Sequence, residues 1–273
     1  VSRWETGATT PDGNSLAAIY SIAMSQNVVP DFFQERPDAA HLERRTKLVL
    51  AWDFQSLGLE KTHVKHEWGY MQNYLDLLHP GTRDSRSLRA YTSPEQKMAG
   101  SELETESFEV YEGEFDADSQ LIRDTSIEIE ESPEKTVFVL VSDDGNYAGF
   151  LKELRTMDVD VYVWTTDGFS DRLRACVDGE HIIRWNAPYV IMTCMNVIRG
   201  LNGEPVNGQK FSELCRTELL DEECYPEDVG FSRRTPYRSL LRWLENHGIV
   251  EVSTANANSE SISIKVRNQY QVQ

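Results

Sequence analysis

The sequence predicts an α/β protein built on a doubly wound, mostly parallel sheet, followed by a C-terminal part of a different plan. Three observations carry this. Short apolar runs alternate with amphipathic helical stretches from Lys47 to Trp185, which is the pattern of repeated βαβ units. Two runs, Lys47–Trp52 and Val137–Val141, are almost unbroken in Val, Leu, Ala and aromatic residues, as strands buried on both faces are. After Pro188 the alternation stops, and helical stretches precede a two-stranded ribbon.

At 273 residues the chain is long enough for one large or two modest cores. A hydrophobic content of 40% with six Trp marks it as globular. The net charge of −18 excludes a polycationic binder that grips phosphate with its whole surface, but it allows a local basic patch or a site whose sign a metal ion reverses. Cys176, Cys194, Cys215 and Cys224 show no CxxC pair and no His at zinc spacing, so buried free thiols in a reducing compartment are expected. No signal peptide or membrane-length apolar run is evident, and the expected location is cytoplasmic or nuclear, with no membrane partner.

The elements follow in order. Ser15–Met24 reads as a capped helix in an N-terminal extension (1–46). Lys47–Trp52 is the first strand and ends on Asp53. Thr62–Leu78 carries Val64, Trp68, Met71, Leu75 and Leu78 at helical spacing and stops at Pro80-Gly81. Leu88–Thr92 is a short strand. Ser93–Ser107 is charged and poor in large apolar residues, so a surface loop with a helical turn is expected. Phe108–Tyr111 is another short strand, and an acidic lead opens a helix from Asp118 to about Glu130. Strands at Val137–Val141, Val159–Trp164 and His181–Trp185 alternate with helices at Tyr147–Thr156 and Ser170–Cys176. Beyond Pro188 come an apolar helix at Val190–Ile198, a Gly/Asn/Pro linker at 200–208 and a helix at Gln209–Leu219. A last helix starts at Thr235-Pro236 and stops at Gly248, and a hairpin pairs Ile249–Thr254 with Ser261–Val266. Helices followed by a two-stranded ribbon are the plan of a winged helix, and Arg233, Arg234, Arg238 and Arg242 gather at its last helix as candidate nucleic-acid contacts.

The chemistry suggested by this order is acidic. Asp53 follows the first strand, Asp118 and Asp124 belong to the central helix, and Asp144 with Asn146 follows the strand Val137–Val141. Ligands bind at the carboxyl ends of strands in open α/β sheets. Carboxylates gathered there repel unless a cation lies among them, and oxygen-only ligands suit Mg²⁺ or Mn²⁺. The competing explanation is an ordinary Asp-Gly turn with a helix cap. Asp118 and Asp124 are six residues apart, which puts them roughly 120° apart around a regular helix.

These residues resemble the NYN domains of the PIN-like nuclease group, close to the bacterial LabA-type branch. Asp53 after Leu50-Ala51-Trp52 matches the first acid of a D-x-x-N pattern. Asp118, Leu121 and Asp124 match D-x-x-L-x-x-D. Ser142-Asp143-Asp144-Gly145-Asn146-Tyr147 corresponds to S-G-D-x-D-F, and Ser170-Asp171-Arg172-Leu173-Arg174 with Asp178 is similar to the helix that follows. Ser56 stands where the family has Asn, and Asn146 where it has a second acid.

The resemblance implies a PIN-like nuclease domain over 47–188, with a winged-helix-like domain over 189–273. It implies a hydrolase that cleaves single-stranded RNA, with Mg²⁺ or Mn²⁺ held by Asp53, Asp118, Asp124, Asp144 and Asn146. Two alternatives stand beside the endoribonuclease. One is a catalytically weak NYN-fold module that binds RNA or assembles with itself or another protein, which Ser56, Asn146 and the acidic surface favour. The other is a sugar- or nucleotide-binding α/β protein, for which no Gly-rich phosphate loop exists.

Overall fold

The computed structural model describes residues 45–59, 61–113, 117–219, 224–254, 261–267 and 270. The expected helix at 15–24 lies outside them. The described residues belong to one compact unit, 40–273.

The first part runs β1 (Lys47–Asp53), α1 (Lys61–Leu78), β2 (Arg86–Thr92), α2 (Lys97–Thr105), β3 (Glu109–Glu112), α3 (Ala117–Glu130), β4 (Thr136–Val141), α4 (Ala148–Thr156), β5 (Asp160–Thr165), the short helix α5 (Asp171–Arg174) and β6 (Ile182–Arg184). The six strands form one sheet in the order β3-β2-β1-β4-β5-β6, and every neighbouring pair is parallel. From β1 the chain winds outward through β2 and β3, then returns to β4 and winds the other way. The strand order therefore reverses between β1 and β4, and at such a reversal the flanking connections part and leave a crevice at the carboxyl ends.

Side chains alternate across the sheet, because successive residues of a strand point to opposite faces. Leu48, Leu50 and Trp52 join Val137, Val139, Val141 and Trp164 in a core beneath α1 and α2. Val49 and Ala51 join Phe138, Leu140, Val161 and Val163 in a second core, closed by Leu121 of α3 and Phe150 and Leu151 of α4. All six residues of β4 are buried. Each large apolar side chain there removes about 1.5–3 kcal/mol worth of apolar surface from water, an upper figure against an extended chain.

Two expectations for connecting segments are corrected. Within Ser93–Ser107 lies α2, which buries Ala99, Gly100 and Leu103. Two of its three inward residues are small and Leu103 is the single large one, so the apolar pattern in the sequence is slight. The capping box of Ser93 and Gln96, with Gln96 Oε1 accepting from Ser93 N at 3.0 Å, is the signal that marks its approach. The expected linker at 200–208 contains β7 (Val206–Asn207), which pairs with the final strand.

The second part comprises α6 (Ala187–Leu201), β7, α7 (Gly208–Leu219), α8 (Pro236–Asn246), β8 (Val250–Thr254) and β9 (Ser261–Val266). Its sheet is antiparallel, in the order β7-β9-β8. Residue 188 is not a break in packing. Ten residues of α6 are buried, and the helix packs against α1 of the first part and α7 and β9 of the second, so one hydrophobic core runs through both. Cys176, Cys194, Cys215 and Cys224 are free and buried, as their spacing predicts. Among the described residues no helix is long and apolar enough to cross a membrane.

Candidate functional site

Asp53 closes β1 at the reversal point and continues the row of Val49 and Ala51, so the pleat turns its carboxyl toward α3 and α4. It is 2% exposed. Its Oδ1 accepts from Ser56 N at 3.1 Å and its Oδ2 from Ser142 Oγ at 3.0 Å. Ser56 thus contributes its backbone, which any residue would supply. Burial holds the Asp53 carboxyl above its ordinary range; the donors from Ser56 and Ser142 oppose that, and the charge of Asp118 adds to it.

Ser142 follows β4 and links two of the acids, since its Oγ also accepts from Asp144 N at 3.0 Å. Asp143 is used structurally. Its carboxylate accepts from Thr166 N at 2.9 Å and from the hydroxyls of Thr165 and Thr166, tying the end of β4 to the end of β5. Asp144 caps the turn Gly145–Tyr147 by accepting from Asn146 N at 2.9 Å, so the cap expected of an Asp-Gly turn is present and shares its residue with the site. Gly145 is required there, because a Cβ would stand 2.4 Å from Ser170 Oγ.

Asp118 lies in the first turn of α3, which packs on β1 and β2. Its Oδ1 accepts from the Tyr147 hydroxyl at 2.7 Å. That hydroxyl also reaches Asp53, and burial, followed by the neighbouring carboxylates, raises the phenol's pKa. Asn146 Nδ2 donates to Asp118 Oδ2 at 3.2 Å and to Asp144 Oδ2 at 3.1 Å.

The structure therefore brings together Asp53, Asp118, Asp144 and Asn146, and leaves Asp124 outside. α3 is regular from Ala117, and Asp124 points elsewhere. Its carboxylate lies 3.3 Å from Arg123 Nε, and its carbonyl accepts from Arg89. Asn146 is placed as expected but turned differently, presenting its amide NH₂, a donor, to two carboxylates where a ligand would present oxygen. Tyr147 and Ser142 are the residues that sequence reasoning missed as parts of the site. Arg172 is exposed beside the same turn, its Cβ 3.4 Å from where a side chain at Gly145 would begin.

None of Asp53, Asp118 and Asp144 pairs with a described Lys, Arg or His. Among the described residues no set of three His, Cys, Asp or Glu side chains is arranged to hold a metal ion. The hydrogen bonds explain why. Asp118 and Asp144 converge on one point, now taken by the Asn146 amide, while both oxygens of Asp53 are turned to Ser56 and Ser142.

The four arginines divide. Arg234, Arg238 and Arg242 line a groove of about 730 Å³ between α7, α8 and the β8-β9 hairpin. Arg233 lies instead with Arg184, Asp167, Glu227 and Asp228. All four are exposed, and none pairs with a described residue.

No protein-family model and no curated protein matches the chain. Among solved structures, a Vibrio parahaemolyticus protein of unknown function is similar at 21% identity and a TM-score of 0.36, over 50% of this chain and 91% of its own.

Proposed function

We propose that the chain is a metal-dependent endoribonuclease of the NYN type, acting on single-stranded RNA at the crevice between β1 and β4. One observation carries the reading. Three carboxylates, the innermost 2% exposed, lie near one another at the strand-order reversal, and among the described residues no cationic side chain pairs with them. Asp118 and Asp144, both half-buried, converge on one point, and carboxylates facing each other repel unless a cation lies between them.

The donor set suits Mg²⁺ or Mn²⁺ held by two carboxylates and completed by substrate phosphate, because Mg²⁺ is usually bound through one or two carboxylates with phosphate and water. Asp118 and Asp144 are the residues that would hold it. When bound, such an ion supplies Lewis-acid stabilisation of the charge on the phosphoryl group. The chain's own residues do the rest: Tyr147 fixes Asp118, and Ser142 fixes Asp144 against Asp53. The order α6-β7-α7-α8-β8-β9, with β9 central, supports reading the C-terminal elements as a winged helix.

A second reading, an NYN-fold module that binds RNA or a partner with little or no cleavage, is favoured by the Asn146 amide bridging Asp118 and Asp144. The deciding experiment is cleavage of labelled single-stranded RNA in Mn²⁺, in Mg²⁺ and in EDTA, by the full chain and by Asp144→Asn. Mn²⁺-dependent products bearing a 5′-phosphate, absent with the variant, support the nuclease. RNA binding with no cleavage above the variant's background supports the second reading and overturns the first.

A further inference from the structure

We propose that the groove between α7, α8 and the β8-β9 hairpin docks an amphipathic, acidic helical segment of a partner protein. The proposal is independent of the ribonuclease reading. Arg234, Arg238 and Arg242 follow one another at four-residue spacing, Arg234 just ahead of α8 and the other two on one stripe of it, and all three line the groove. Like charges one turn apart repel. In a chain of net charge −18 with 45 acidic residues, none of these guanidiniums has found a carboxylate among the described residues. Among the described residues the stripe is thus a positive line without paired carboxylates, and its complement is a line of carboxylates at the same pitch, as Glu or Asp at four-residue spacing on a helix supplies.

The floor of the groove selects the class of occupant. Val252 and Ile262 of the hairpin, both only partly buried, present aliphatic surface opposite the arginines, over a floor that Leu241 closes, which suits the apolar stripe of a helix laid into a groove. A single-stranded nucleic acid would need exposed ring faces for its bases. The aromatic residues of the lining, Phe211 and Tyr237, are 1% and 4% exposed. Glu245 also lines the groove, and its carboxylate would repel a phosphate but can pair with a basic residue at the end of a peptide.

The test selects peptides from a random displayed library on the full chain, with counter-selection on the variant Arg234→Glu/Arg238→Glu/Arg242→Glu. The best synthetic peptide and a short single-stranded RNA are then titrated against both proteins by fluorescence anisotropy, with melting curves as a check on folding. The expected result is enrichment of sequences with acids at three- or four-residue spacing beside apolar positions. Their binding should weaken with salt and by about tenfold or more in the variant, at an unchanged melting temperature. Enrichment without acidic character, equal binding by the variant, or loss of RNA affinity in place of peptide affinity would each overturn the proposal; the last would assign the groove to nucleic acid.

Discussion

Asn146 Nδ2 lies 3.2 Å from Asp118 Oδ2, although 28 residues separate the two. The same nitrogen lies 3.1 Å from Asp144 Oδ2. A neutral donor therefore occupies the point on which two carboxylates converge, and that arrangement sets the behaviour expected of the site.

Replacing Asn146 with Asp removes the bridging donor and adds a third carboxylate. The variant should melt at lower temperature than the parent in EDTA, because like charges now face each other. It should gain more from Mn²⁺, with stabilisation approaching about 2.7 kcal/mol at a hundredfold excess over Kd. Calorimetric titration and melting curves with and without Mn²⁺ check both halves. An unchanged Mn²⁺ response would place residue 146 outside the ligand shell.

Asp53→Asn tests the buried carboxyl. The folded pKa of Asp53 is raised, mainly by burial, so the folded state binds the proton more tightly than the unfolded chain. Its contribution to stability is present below the unfolded pKa and declines as pH rises through the folded one. The neutral variant should melt higher than the parent at neutral pH, lose that advantage in acid, and lose cleavage. Equal melting temperatures at pH 7 would show that Asp53 carries no electrostatic cost.

His79 titrates in the opposite sense. Its ring is 1% exposed, its two nitrogens have no hydrogen-bond partner among the described residues, and burial lowers its pKa from 6.5 to about 3, with His181, His247 and Arg45 adding to the shift. Between those values the unfolded chain binds the proton and the folded one does not. Stability should fall as pH is lowered through that window, His79 contributing at most about 1.4 kcal/mol per pH unit. Urea unfolding of the parent and of His79→Leu across the window measures it, since the variant should show the shallower dependence.

Leu121→Ala addresses the positioning of Asp118. Leu121 is fully buried on the face of α3 that meets the second core, so its truncation should cost about 2–5 kcal/mol. The variant should also weaken Mn²⁺ binding where the fold persists, because Asp118 lies one turn away. Asp124→Ala should leave Mn²⁺ binding unchanged, since its carboxylate faces Arg123. A loss of affinity in the Asp124 variant would return that residue to the site.

Much of the fold was legible because the hydrophobic pattern is local. The unbroken run of β4 announced a strand buried on both faces, and helical spacing announced α1, α4 and α8. α2 escaped because, among its buried residues Ala99, Gly100 and Leu103, Leu103 is the single large apolar side chain. β7 escaped because a two-residue strand has no periodicity of its own, and only its pairing with β9 defines it.

The sequence by itself determined which residues are acidic, which follow strands and which apolar runs must be buried. The tertiary structure decided which of those acids meet. Strand order placed Asp53 beside the end of β4, the regular start of α3 turned Asp118 inward and Asp124 away, and packing brought the Tyr147 hydroxyl to Asp118. It also decided that Asn146 donates where oxygen was expected, and that Arg233 stands apart from the other three arginines. The physical reason is range. Periodicity and caps are settled within a few residues along the chain, whereas the 2.7 Å contact of Tyr147 with Asp118 joins elements whose relative position only the closed cores on both faces of the sheet define.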